Sequence, residues 1–129
     1  MEYITAEQFL EQNERIQRIF KEYFDREEML YTWNEIIYYG TFKDELDFTP
    51  NPTEGQLRKF IEDKIKGIVK VIQWNPLRDN KYGYTIYVLA KDRHEILVEF
   101  GYEKLEANLL QVYWKVALEI AKESVKSEN

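Results

Sequence analysis

Residues 104–123 carry apolar side chains on two sides of one helix, and no other pattern in the chain constrains the fold as strongly. Leu105, Leu109, Val112, Tyr113, Val116, Ala117 and Ile120 recur at helical spacing as one stripe. Ala107, Leu110, Trp114, Leu118 and Ala121 form a second. A sheet laid against this helix covers only one of them. The other has to meet the N-terminal helix or a second subunit, which would make a homodimer through Leu110, Trp114 and Leu118.

The sheet is expected just before that helix. Ile68, Val69, Val71 and Ile72 are β-branched and predict a strand over residues 68–74. A second strand is expected over 82–91, with Tyr84, Ile86 and Val88 on one face and Thr85, Tyr87 and Leu89 on the other. A third is expected over 95–102. Its Ile96, Val98 and Phe100 alternate with Glu95, Leu97 and Glu99, which predicts one buried and one mostly wet face. Residues 91–94 make a short polar turn, so these two strands form an antiparallel hairpin. Ahead of the strands, Thr53 and Gln56 have capping-box spacing and open a helix over 53–66. Leu57, Phe60, Ile61 and Ile65 form its buried stripe, and Gly67 is placed as its stop.

The N-terminal part opens with the same device. Thr5 and Gln8 make a capping box, with Ile4 and Phe9 at the spacing of a hydrophobic staple. Phe9, Ile16, Ile19, Phe20, Tyr23 and Phe24 give one apolar face to a helix over 5–24. Residues 27–42 support two readings. Met29, Leu30, Trp33, Ile36 and Ile37 have helical spacing and favour a helix over 26–39 ending at Gly40. The density of β formers favours a hairpin turning at Asn34 and Glu35. Residues 41–52, with charged 43–47 and prolines at 50 and 52, read as a linker. The expected fold class is α+β: one domain over 1–129, in which an acidic N-terminal helical arm (1–48) precedes an α-β-β-β-α core (53–123) with a three-stranded antiparallel sheet.

A chain of 129 residues is long enough to bury about two-thirds of its unfolded surface. It has no cysteine, which removes disulfide and thiol chemistry and favours a cytoplasmic setting. No apolar run is long enough to span a bilayer, so no membrane association is expected. The net charge of −6 is uneven: residues 1–48 carry −7, residues 49–82 carry +3 and residues 83–129 carry −2. An acidic front argues against binding a phosphate backbone and suits a partner with a basic surface.

Nothing in the chain reads as catalytic, and neither a metal nor a cofactor is expected. His94 is the single histidine and sits among turn residues. The carboxylates Glu27, Glu28, Asp44, Glu45 and Asp47 lack the apolar enclosure that separates the pKa values of an acid–base pair. The five glycines are isolated, so there is no phosphate-cradling loop. The two serines, Ser124 and Ser127, lie in the tail.

Two aromatic clusters are candidate binding surfaces. Tyr31, Trp33, Tyr38 and Tyr39 are flanked by Glu27, Glu28, Asp44, Glu45 and Asp47, a pattern suited to a basic protein partner. Trp74, Tyr82, Tyr84 and Tyr87 lie near Arg78 and Lys81 and offer the alternative of stacking a small ligand or nucleotide.

Residues 9–14 (Phe-Leu-Glu-Gln-Asn-Glu), 52–64 (Pro-Thr-Glu-Gly-Gln-Leu-Arg-Lys-Phe-Ile-Glu-Asp-Lys) and 105–121 (Leu-Glu-Ala-Asn-Leu-Leu-Gln-Val-Tyr-Trp-Lys-Val-Ala-Leu-Glu-Ile-Ala) resemble a group of small uncharacterised proteins from phages and prophages of Gram-positive bacteria. The resemblance covers under half the chain and brings no site residues with it. It implies a phage context, in which small acidic proteins act as inhibitors or regulators of host machinery. That includes an anti-defence role by mimicry of nucleic acid. A self-assembling structural component is a further alternative. The α-β-β-β-α order is similar to that of double-stranded RNA-binding domains. Those need a basic cluster where this chain has Glu103, Lys104, Leu105 and Glu106, so nucleic-acid binding is not expected.

Overall fold

The computed structural model describes residues 2–25, 27–41, 48–73, 83–92, 95–103 and 108–127. They form four helices and two three-stranded antiparallel sheets, an α+β fold. The chain divides into two compact units, residues 1–54 with 118–129, and residues 55–117.

The first unit starts at the capping box. The Gln8 N–H donates to Thr5 Oγ1 at 3.2 Å, and the Gln8 side chain accepts from the Thr5 N–H at 3.3 Å. This launches α1 (Ala6–Leu10). The expected single helix over 5–24 is broken here. Asn13 acts as a second N-cap, accepting from the Ile16 N–H at 3.0 Å, and starts α2 (Glu14–Phe24). Gln17 Nε2 donates to the Gln12 carbonyl at 2.7 Å across the break. The apolar face survives the break: Phe9, Ile16, Phe20 and Phe24 are buried, and the Phe9 and Phe20 rings meet edge-on at 6.2 Å.

The expected helix over 26–39 does not form among its described residues, 27–39. Met29–Trp33 (β1) pairs antiparallel with Ile36–Gly40 (β2). Asn34 and Glu35 turn the hairpin with φ of 49° and 66°. Two consecutive positive φ values are those of a type I′ turn, whose twist matches that of the flanking strands. Gly40 is the last residue of β2 rather than a helix stop.

The expected linker over 41–52 is also corrected. Its residues 42–47 lie outside the described residues, but 48–52 are all buried. Thr49–Pro50 (β3) pairs with β1 on the side away from β2, giving the order β2-β1-β3. Asn51 ties the unit together. Its N–H donates to the Leu30 carbonyl at 3.0 Å, its Nδ2 donates to the Ile4 carbonyl at 3.0 Å, and its Oδ1 accepts from the Thr32 hydroxyl at 2.7 Å. The Ile4 N–H donates to the Pro52 carbonyl at 2.9 Å. A fully buried amide is tolerated only when its donor and acceptor are both satisfied, as they are here.

The second unit follows the expected order. Glu54–Ile65 (α3) buries Leu57, Phe60 and Ile61. It stops where Lys66 adopts φ of 62°, with the Lys66 N–H donating to the Glu62 carbonyl at 2.8 Å. Lys66, not Gly67, is thus the left-handed residue. Gly67 is required for another reason: a side chain there would fall on the Leu89 carbonyl oxygen and 2.7 Å from Val88 Cγ1. Ile68–Gln73 (β4), Gly83–Leu89 (β5) and Ile96–Glu103 (β6) form the sheet in that spatial order. Val69 lies opposite Val88 and Val71 opposite Ile86; Val69, Ile86 and Val88 are buried and Val71 is half-buried. The expectation for β6 fails in part. Its Val98 and Phe100 are half-buried and Ile96 is exposed, because β6 is an outer strand and shifts register at a bulge near Val88 and Leu89.

The last helix, Leu109–Ser127 (α4), carries the described residues of both stripes. Val112, Tyr113, Val116, Ala117, Leu110, Trp114 and Ala121 are buried, and Leu118 is half-buried. Leu110 and Trp114 of the second stripe are thus not exposed.

Candidate protein-interaction site

The β1–β2 hairpin exposes more large apolar surface than any other described element. Trp33 is 49% exposed, Ile36 56%, Ile37 45%, Tyr38 37% and Tyr39 67%. Soluble surfaces scatter such residues singly, and a cluster of them on one short hairpin marks a contact surface.

Strand alternation divides the predicted aromatics. Tyr31 lies opposite Tyr38 and Trp33 opposite Ile36, so these four share one face. Leu30 opposite Tyr39 and Thr32 opposite Ile37 share the other. Tyr31, Trp33 and Tyr38 are thus brought together as expected, while Tyr39 points the opposite way. The Tyr31 and Tyr38 rings stack at 5.6 Å, and Trp33 leans on Tyr38 at 6.3 Å. Tyr31 meets the buried Phe48 ring edge-on at 6.3 Å, and Lys21 Nζ lies 5.9 Å from that ring's centre. A row of aromatic contacts therefore runs from a buried ring to the exposed tip. Held this way, the outer rings have already lost much of the rotamer freedom that binding would otherwise remove.

The carboxylates frame this surface only in part. Glu27 and Glu28 precede β1 and Glu35 sits in the turn, so residues 27–41 carry three carboxylates and no Lys or Arg. Asp44, Glu45 and Asp47 lie outside the described residues. Ile36 and Ile37 were missing from the expected contact set, because a helix over 26–39 assigns them to its buried stripe. The Asn34–Glu35 turn was the signal that would have placed them on an outer strand.

The alternative ligand surface is not assembled among the described residues. Trp74, Arg78, Lys81 and Tyr82 lie outside them. Tyr84 and Tyr87 are three apart on β5 and project to opposite faces, both half-buried. The exposed apolar residues of this sheet are split between its two ends: Ile72 lies opposite Thr85, and Ile96, next to Leu97, lies opposite Leu89 at the other end of β5. His94 is outside the described residues, and among these no group of three His, Cys, Asp or Glu could hold a metal ion. No described helix is long and apolar enough to cross a membrane. No protein-family model, curated protein or solved structure matches this chain.

Proposed function

We propose that this chain is a non-enzymatic, phage-type interaction protein of the cytoplasm that grips a host protein through the β1–β2 hairpin and modulates or inhibits it. The observation that supports this is the hairpin's run of five exposed large apolar residues. Aromatic anchors backed by a fixed ring and bordered by acids suit a partner surface that is apolar at its centre and basic at its rim. Mimicry of nucleic acid would instead need rows of carboxylates, and this surface is mainly apolar. Burial of rings is the better-supported source of affinity.

Photo-crosslinking tests the reading. A benzophenone amino acid in place of Tyr38 should capture one discrete protein from an extract of a Gram-positive host. The same group in place of Ile72, exposed on the other sheet, should not. Equal adducts from both positions, or none from Tyr38, would refute it.

A further inference from the structure

The two sheets treat their outer strands differently, and the difference bears on how a partner would bind. Natural proteins guard an outer strand with charge, proline, bulges or a covering element, because its unpaired N–H and C=O groups are a template for another strand. Three of the four outer strands here are guarded. At β4, Val69 has both outward groups engaged by α3: its N–H donates to Glu62 Oε2 at 2.9 Å, and its carbonyl accepts from Arg58 Nη2 at 3.1 Å. Lys70 adds an exposed charge on the same strand. β6 has Glu99 and a bulge. β3 is two buried residues, one of them Pro50.

Among the described residues, β2 has none of these devices. Ile36–Gly40 contains no charge and no proline, and four of its five residues are exposed. In a two-residue hairpin the pair flanking the turn is hydrogen-bonded, and pairs alternate from there. Trp33–Ile36, Tyr31–Tyr38 and Met29–Gly40 are then the bonded pairs, and the N–H and C=O of Ile37 and Tyr39 point to the open edge. Among the described residues, none hydrogen-bonds to them.

We infer that β2 binds by strand addition, taking an extended segment of a partner protein as a fourth strand of this sheet. The inference rests on the hairpin reading above and names the mode and chemistry of the contact. Only another extended backbone can satisfy a row of alternating donors and acceptors while covering the side chains on both sides of it. The occupant is a segment of about five β-branched or aromatic residues, flanked by Lys or Arg. Its charge follows from the three carboxylates and absent cations of residues 27–41. A second copy of this chain would bring the same three carboxylates to the contact and is the disfavoured occupant.

The test uses the full chain and three synthetic peptides sharing a Val/Thr/Tyr core: one lysine-flanked, one lysine-flanked with alternate core amides N-methylated, and one glutamate-flanked. The lysine-flanked peptide should bind and slow hydrogen exchange at the Ile37 and Tyr39 amides. N-methylation removes backbone pairing while keeping the side chains, and should weaken binding about tenfold or more. The glutamate-flanked peptide should bind more weakly still. Ile37→Lys, which gives β2 the guard found on β4, should abolish binding without unfolding the chain. Equal binding of the N-methylated peptide would overturn strand addition and leave the hairpin reading standing. No binding by the lysine-flanked peptide, or equal binding of the glutamate-flanked one, would overturn the proposed occupant. Protection of the same amides without peptide, together with a dimer by light scattering, would make a second copy the occupant and overturn the inference. A Tyr38 crosslinker with no adduct would count instead against the hairpin reading itself.

Discussion

Asn51→Leu should be the most damaging single substitution in the first unit, lowering the free energy of unfolding by about 3–5 kcal/mol. The shape of the side chain is nearly kept, so the loss is one of hydrogen bonding. The Ile4 carbonyl loses the Nδ2 donor and the Thr32 hydroxyl loses its acceptor. A buried polar group left without a partner costs about 1–3 kcal/mol; the Ile4 carbonyl is such a group, and the half-buried Thr32 hydroxyl adds a smaller loss. The amide also joins three segments distant in sequence: the N-terminal residues, β1, and the strand that follows residues 42–47. A domain of this size has about 5–15 kcal/mol in all, so the loss is a large share of it. Urea unfolding followed by far-ultraviolet circular dichroism measures it directly. A loss below about 1 kcal/mol would mean that the network contributes little.

Gly67→Ala should cost about 3 kcal/mol in the second unit, at the upper end of overpacking effects. A single methyl group is added, and the obstacle decides the magnitude. The Leu89 carbonyl belongs to β5 and cannot yield as a side-chain tip would, while Val88 Cγ1 at 2.7 Å and Leu97 Cδ1 at 3.2 Å close the remaining directions. The neighbouring position should respond with the opposite sign. Lys66 holds φ of 62°, so Lys66→Gly relieves a left-handed conformation and should stabilise by about 1 kcal/mol. The pair of variants separates the two roles a glycine can fill at a helix end. If both substitutions destabilise, the assignment of roles to 66 and 67 is wrong.

The parts of the fold that local chemistry decides were legible in the residues. Thr5 with Gln8 marked a helix start, and the alternation of Tyr84 to Leu89 marked a strand. The parts decided by distant partners were not. Met29, Leu30, Trp33, Ile36 and Ile37 fit a helical period, and the period alone hides the β3 strand that pairs with Tyr31 and Thr32 from 17 or more residues away. Asn51 between two prolines reads as part of a linker, and its burial becomes visible only when Ile4 and Thr32 arrive beside it. Gly67 looked like a helix stop because glycine commonly is one, whereas the close approach of Leu89 is a tertiary fact. The candidate site shows the same division. Tyr31, Trp33 and Tyr38 were recognised as a cluster from composition, but only the hairpin register separates Tyr39 from them and adds Ile36.

The claim that the exposed hairpin is the contact surface is tested most directly by Ile36→Ser/Tyr39→Ser. Both side chains are more than half exposed, so thermal unfolding should change little, as surface substitutions usually shift stability by under about 0.5 kcal/mol each. Capture of the protein that crosslinks at Tyr38 should fall about tenfold or more. An equally stable double variant that captures the partner as well as the unaltered chain would contradict the account.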